Sequence, residues 1–455
     1  PNTSKHYLEA DNKQADNKEK MTQPVSHPPT TTAAESREQE VLHKMATQHI
    51  RVAVVGNVDA GKSTLIGCLV SDILDDGRGE ARARVTKHRH ELMSGRTSAI
   101  GTHLVGLDES AQTIVTSCES EKTMKATRLV TLMDMAGHEK YLKTTIAGVS
   151  RGVADYALVL VNAAQPPTHM TKHHLRLCAA MGIPVVVVMT KVDRCPSDVF
   201  RSTKHEMQAM LRDGEIGLRH FNVGSTKDVE TVKDKIANRL LTPVISVSCV
   251  CGEGLDILKT LLSQLPQRRR LAQKQRKNKE FEYLVEDIFQ VPGVGTVLSG
   301  LVTRGEWKKG EPLHIGPLKN GSIIQVTPKS VHVAQTNVDM VYAGHSVCFA
   351  LPKIPKDKRK LFLTKGMVAL KKPFIPTRTV TAEIYLLKGK NFTIAEGQFQ
   401  ATLNILHNKL AAKVVAMKDE NGVPIPIARN NTENMWVTIT FRLPHASAYL
   451  RPGMK

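Results

Sequence analysis

The sequence predicts a multidomain chain, an α/β P-loop domain with a mostly parallel sheet followed by two β-barrel domains. Three observations predict it. A glycine-rich loop, Gly56-Asn57-Val58-Asp59-Ala60-Gly61-Lys62-Ser63, lies between the apolar run Arg51-Val52-Ala53-Val54-Val55 and the apolar run Leu65-Ile66-Gly67-Cys68-Leu69-Val70. From about 49 to 265, apolar strands alternate with helical patterns, which predicts parallel strands with helices on both faces. Beyond a basic run at 268–279, short alternating strands with glycine and proline turns dominate, as in all-β barrels.

The elements follow in chain order. Residues 1–48 are rich in Thr, Pro, Gln, Asn and Glu, a composition that predicts a disordered polar tail. The first α/β strand then leads into Gly56–Ser63, which matches G-x-x-x-x-G-K-[ST] in the strand-loop-helix context this motif requires. Its glycines let consecutive backbone N–H groups curl around phosphates. Lys62 would reach the β- and γ-phosphates, Ser63 would ligate Mg²⁺, and Thr64 opens a helix whose N-terminus favours anions.

Three further motifs specify the nucleotide. Asp134-Met135-Ala136-Gly137 follows the strand Leu129-Val130-Thr131-Leu132-Met133. The Asp134 carboxylate would hold the Mg²⁺ shell through water, and the Gly137 N–H would sense the γ-phosphate. His138 comes next, where a side chain can orient the attacking water. Thr190-Lys191-Val192-Asp193 follows the strand Val185-Val186-Val187-Val188-Met189. A carboxylate at Asp193 would accept from the N1–H and 2-amino groups of guanine, a donor pair that adenine lacks. Lys191 would lie along the base. Thr190 stands where Asn is usual and offers fewer hydrogen bonds to tie the loop. Ser248, Cys249 and Val250 form a loop whose backbone N–H groups would face guanine O6. Between Ser63 and Asp134, Gly95-Arg96-Thr97-Ser98 supplies Thr97 as the switch threonine completing the Mg²⁺ shell, preferred over Thr102 and Thr113. The expected ligands are therefore GTP or GDP with Mg²⁺, and the expected activity is GTP hydrolysis.

The α/β domain is expected over 49–267 and the basic linker over 268–279. One β-barrel is expected over 280–374 and a second over 375–455. In the first, Val291-Pro292-Gly293-Val294-Gly295-Thr296-Val297-Leu298-Ser299-Gly300 reads as loop and strand. In the second, Val380-Thr381-Ala382-Glu383-Ile384-Tyr385-Leu386 and Met435-Trp436-Val437-Thr438-Ile439-Thr440-Phe441 are the clearest strands.

Composition bounds the partners. The chain of 455 residues carries a formal net charge of +20 and a pI of about 9.6. The polar tail contributes −1, so the excess of +21 belongs to the remainder. Such a charge fits a polyanionic partner, RNA rather than DNA. The linker at 268–279 with Lys356, Lys358, Arg359 and Lys360 is a candidate RNA-contacting surface, a solvated linker being the competing reading. The longest apolar runs fall short of the roughly 20 residues of a membrane span, so no membrane role is expected. Seven scattered cysteines fit free thiols in a reducing, cytoplasmic compartment. A monomer is expected.

A P-loop domain followed by two barrels resembles the elongation factor Tu / elongation factor 1-alpha class of translational GTPases. The resemblance rests on GNVDAGKST from Gly56, DMAGHEKYLKTT from Asp134 and VPGVGTVLSG from Val291. Asn57 and Ala60 replace histidines of elongation factor Tu, Gly95-Arg96-Thr97-Ser98 replaces Gly-Ile-Thr, and TKVD replaces NKxD. With the insert His88-Arg89-His90-Glu91, these features are similar to the GTP-binding protein 1/2 group. The resemblance implies GTP hydrolysis on the ribosome with tRNA, in elongation, ribosome rescue or mRNA surveillance. Two other readings stay open: a GTP-dependent RNA or protein carrier with little turnover, and a selenocysteine- or initiation-type tRNA factor. In relatives an Arg-Glu-x-x-Arg-Thr-type strand closes the last barrel. Its absence here predicts a fragment or incomplete gene model.

Overall fold

The computed structural model describes residues 31–86, 101–135, 154–214, 216–267, 280–318, 320–352, 363–386, 393–405, 408–429, 435–445 and 447–452. The α/β unit contains β1 (His49–Gly56), β2 (Gly101–Leu107), β3 (Arg128–Asp134), β4 (Tyr156–Asn162), β5 (Val185–Thr190), β6 (His220–Asn222) and β7 (Thr242–Val247). They form one sheet in the order β2-β3-β1-β4-β5-β7-β6. Every pairing is parallel except β2 with β3. All eight residues of β1 and all six of β5 are buried, as continuous apolar runs in a sheet covered on both faces should be.

Two apolar layers cover that sheet. On one side Val52, Val54, Leu158 and Val186 pack with Leu65 and Leu69, and with Leu258 and Leu262. The first pair comes from α2 (Lys62–Ser71), the second from a helix over Leu255–Gln264. On the other side Ala53, Val55, Val159 and Val187 meet Leu175, Met207 and Leu211 from helices over His169–Ala180 and Ser197–Arg212. Alternate residues of each strand thus serve opposite layers, and the strand ends are left free to carry chemistry.

The chain before β1 is corrected by the structure. Residues 31–47, expected within the disordered tail, form α1 (Thr31–Thr47). Val41, Leu42 and Met45 recur at helical spacing and are 0%, 6% and 4% exposed. They join a core of Tyr283, Trp307, Val341 and Phe349 from the following β domain. Burying three such side chains contributes roughly 5 kcal/mol, enough to order a helix that its polar composition would not. His345, wholly buried, donates from Nε2 to the Leu42 carbonyl at 3.2 Å. Burial pushes its imidazole down to about 4, against the pull of that carbonyl, so it stays neutral at physiological pH.

The next ten strands are β8 (Glu282–Val291), β9 (Gly295–Arg304), β10 (Glu306–Lys308), β11 (Leu313–Gly316), β12 (Ile324–Val326), β13 (Ser330–Val333), β14 (Thr336–Asn337), β15 (Met340–Tyr342), β16 (Ser346–Ala350) and β17 (Val368–Leu370). Eight of them form the antiparallel sheet β12-β11-β17-β8-β9-β16-β13-β14, and β10 pairs with β15. Edge-to-face contacts of Phe349 with Tyr283 (4.9 Å) and Trp307 (5.0 Å) centre the core these strands share. The glycine-rich Val291–Gly300 stretch is the β8–β9 hairpin and its return strand.

The C-terminal strands are β18 (Thr379–Leu386), β19 (Thr393–Ala395), β20 (Gln400–Ile405), β21 (Asn408–Lys418), β22 (Ile427–Arg429) and β23 (Met435–Arg442). They form a sheet β18-β23-β21-β20 and a ribbon β19-β22 around Val414, Val437, Ile439 and Phe441. Among the described residues no helix is long and apolar enough to cross a membrane.

Two partly buried ion pairs join these units. Arg51 of β1 donates to Glu286 of β8 at 2.9 Å and to the Ser346 hydroxyl of β16 at 3.3 Å. Glu282 of β8 accepts from Arg451 at 2.7 Å, Tyr449 at 3.0 Å and Thr303 at 2.6 Å.

Candidate nucleotide-binding site

Candidate residues of the α/β unit gather at the C-terminal ends of β1, β3, β5 and β7. The chain leaves β1 through Gly56, where an added Cβ would stand 2.6 Å from the Leu160 carbonyl oxygen of β4. Only glycine lets the loop start this close to the sheet. The loop then turns through left-handed backbone at Asp59 (φ 59°) and Gly61 (φ 79°). Gly61 is the N-cap of α2, so the first-turn N–H groups lie where an anion would be met.

The Asn57 carbonyl organises the loop from within. It accepts from the Lys62 ammonium at 2.8 Å and from the Ala60 N–H at 3.3 Å. The Asn57 side chain accepts from the Val58 N–H at 2.8 Å and donates to Thr168 Oγ1 at 3.4 Å. Thr168 is the N-cap of the helix over His169–Ala180, so the loop is tied to its neighbour as well. Lys62 is 7% exposed. Burial lowers its pKa, while the Asp134 and Asp59 carboxylates pull it back up.

Ser63 Oγ donates to Asp134 Oδ2 at 2.6 Å. The two oxygens come from residues 71 apart, on α2 and at the end of β3. Ser63 and Asp134 thus bring two hard oxygen groups together, one able to ligate Mg²⁺ and the other to hold a water of its shell, and they fit the ion the sequence calls for.

The base end is built from three loops. Thr190 Oγ1 lies 3.0 Å from the Ala60 carbonyl and 3.3 Å from the Val161 carbonyl. The short hydroxyl thus still ties the base loop to the phosphate loop, although it stands where Asn is usual. Lys191 adopts left-handed backbone (φ 60°), and the tight turn over Val192–Arg194 then presents Asp193. Asp193 Oδ1 accepts from Ser248 Oγ at 2.6 Å, and its side chain is 18% exposed. Ser248 Oγ in turn accepts from the Val250 and Cys251 N–H groups, each at 3.2 Å. Among Ser248, Cys249 and Val250, only the Cys249 N–H donates to nothing within the described residues, since the Ser248 N–H reaches the Glu253 carbonyl.

The expected residues are thus partly brought together. Gly56 to Thr64, Asp134, Thr190, Lys191, Asp193 and Ser248 to Val250 cluster around one cleft edge. Thr97, Gly137 and His138 lie outside the described residues, as do the linker at 268–279 and Lys356, Lys358, Arg359 and Lys360. Of the rejected switch threonines, Thr102 is an exposed β2 residue and Thr113 donates to the Leu69 carbonyl at 3.2 Å. The Thr113 hydroxyl is thereby occupied structurally.

Sequence reading missed His174, on the helix over His169–Ala180. It is 1% exposed, and burial, with the nearby Lys62 and His173 charges, pushes it down to about 4. A neutral imidazole therefore stands behind the phosphate-loop lysine. Its signal in the sequence, one of several histidines in a helix, carries no information about that position.

The chain is similar to several known proteins. Residues 47–267 match the family described as elongation factor Tu GTP binding domain. GTP-binding protein 1 of Xenopus laevis is 35% identical over 375 residues, covering 81% of this chain and 56% of that protein. GTP-binding protein 2 of Mus musculus is 33% identical over 368 residues, covering 78% and 59%. The chain thus spans somewhat more than half the length of the curated relatives it matches. Among solved structures, a bacterial selenocysteine-specific elongation factor superposes with a TM-score of 0.60 at 20% identity, over 90% of this chain and 55% of that one. The GTP-bound Ski7 GTPase-like domain of S. cerevisiae gives 0.66 at 12% identity, over 89% and 92%. At those identities the structural likeness shows the fold alone.

Proposed function

The chain belongs to the GTP-binding protein 1/2 group of the elongation factor Tu / elongation factor 1-alpha class of GTPases, and from that premise we propose that it hydrolyses GTP as a conformational switch in translation. Its partners in this reading are the ribosome and tRNA or another RNA, in the cytoplasm, in elongation, ribosome rescue or mRNA surveillance. The observation that carries the reading is the Ser63–Asp134 contact of 2.6 Å, which supports a Mg²⁺ site near Lys62.

Each residue has a part. The backbone of Gly56 to Thr64 cradles the phosphates, Lys62 neutralises the β- and γ-oxygens, and Asp193 selects guanine through two donors. Ser63, Asp134 and Thr97 would hold Mg²⁺, which would supply charge neutralisation to the nucleotide phosphates when bound. His138 orients the attacking water, and the Gly137 N–H registers whether the γ-phosphate is present. Hydrolysis then releases the segments that γ-phosphate contacts had ordered.

Measuring GTP turnover with and without ribosomes tests this. The expected result is slow intrinsic hydrolysis that ribosomes accelerate strongly. Tight GTP binding with no acceleration would instead favour an RNA or protein carrier with little turnover.

A further inference from the structure

The outer face of the C-terminal sheet carries side chains that its core does not require. Ile384, Val437, Ile439 and Phe441 point inward and pack. Their alternates point outward, and two are large aromatics. Tyr385 of β18 and Trp436 of β23 are direct cross-strand partners, 44% and 51% exposed. Their ring centroids are 4.9 Å apart with planes tilted by 46°, so the pair does not stack face to face and hide its surfaces. Two exposed aromatics side by side forfeit the burial that normally stabilises such residues.

The same face is basic. Thr379, Thr381 and Glu383 continue outward along β18, opposite Arg442, Thr440 and Thr438 of β23. One strand further, Lys413 pairs with Arg442 and Lys418 with Thr438, and both lysines are exposed. Lys409 is exposed on the same strand. Among the described residues, four cations therefore share this face with a single carboxylate, Glu383. Among the described residues none of the four cations has an ion-pair partner. From Tyr385 to Thr379 the face runs about 20 Å at a strand rise of ~3.3 Å per residue.

We propose that this face, with Tyr385 and Trp436 as its stacking platform and Lys413, Lys418 and Arg442 as its phosphate contacts, binds single-stranded RNA. Exposed π-faces at one end of an antiparallel sheet, with Lys418 nearest them and Lys413 and Arg442 at the far end, suit unstacked bases with their backbone running along the face, two or three nucleotides on such a surface. A duplex keeps its bases stacked inside and would leave both rings unused. An apolar protein partner would bury the rings but gain nothing from the cations further along the face. The face lies apart from the nucleotide site. The inference deepens the RNA partnership proposed above and fails separately from it, because ribosome-stimulated turnover is read independently of oligonucleotide affinity.

The chain has two tryptophans, and Trp307 is wholly buried, so emission changes on surface binding report Trp436. Titrating the 455-residue chain with a short oligouridylate should quench that emission. Anisotropy of a dye-labelled oligouridylate, a readout that does not need Trp436, should show Trp436→Ala weakening the oligonucleotide roughly ten- to a hundredfold. Trp436→Phe should restore most of the affinity, and guanine-nucleotide affinity should match wild type in both variants. Lys413→Ala with Arg442→Ala should lower the salt slope by about 1.4. Unchanged affinity in Trp436→Ala would overturn the proposal. So would equal binding of duplex RNA, or capture of a protein that competes where RNA does not bind.

Discussion

Ser248 Oγ donates to Asp193 Oδ1 at 2.6 Å, across a sequence separation of 55 residues. The carboxylate that would read guanine is therefore aimed by the loop after the neighbouring parallel strand, not by its own turn alone. A base-reading group held this way loses little entropy when the base arrives.

Asp193→Asn should cost guanine-nucleotide affinity roughly 10²–10⁴-fold, because an acceptor facing two donors becomes partly a donor. Xanthine nucleotides should gain. Ser248→Ala should cost only about fivefold, the net worth of one hydrogen bond. Competition titrations with GTP and xanthosine triphosphate measure both. Wild-type GTP affinity in the Asn variant would remove Asp193 from the base.

His138→Ala should leave GTP affinity intact and lower ribosome-stimulated hydrolysis by about 10²–10⁴-fold, as for a lost positioned catalytic group. Single-turnover assays with saturating ribosomes read this directly. Lys62→Ala provides the contrast, since it should weaken nucleotide binding itself. If both variants behave alike, His138 has no specific part in positioning water.

Leu42→Ala should destabilise the protein by about 2–4 kcal/mol, through loss of a 6% exposed side chain beneath α1. Hydrogen exchange over 38–47 should rise well before exchange in β1 and β5 does. Uniform loss of protection across the α/β unit would mean that α1 is part of that unit's core and not of the β domain's.

Glu282 gives a pH prediction. Burial raises its pKa, but hydrogen bonds from Arg451 and Thr303 and the Arg451 charge outweigh that, so the folded value lies below the ordinary one. The folded state then binds fewer protons than the unfolded state near pH 4. The contribution is complete above the unfolded pKa of about 4.3 and is lost as pH falls through the lower folded value. Denaturant midpoints between pH 7 and 3 should therefore fall less steeply in Glu282→Gln than in wild type. Parallel curves would discount this carboxylate.

The nucleotide site was legible because backbone-cradled phosphates demand glycine, lysine and a hydroxyl at fixed spacing. Gly56, Gly61, Lys62 and Ser63 hardly admit another arrangement. Strands β18 and β23 were legible through alternation, since one face packs and the other does not. α1 was not, because three apolar residues in a polar stretch are invisible to an average over 48 residues. The Arg51–Glu286 pair was not either. Its partners are 235 residues apart, and nothing local in either strand announces the other.

That pair has a mechanical consequence. Arg51 and Gly56 belong to one fully buried strand, about 17 Å apart at a rise of ~3.3 Å per residue. Such a strand acts as a stiff rod, with the phosphate loop fixed at one end and the β domain clasped at the other. The two share one frame of reference for as long as the clasp stays shut. Opening it would uncover a guanidinium that is 4% exposed and part it from a carboxylate that is 20% exposed. Any separation of the two units therefore has to break this contact at the foot of β1, far from the loop at the strand's other end.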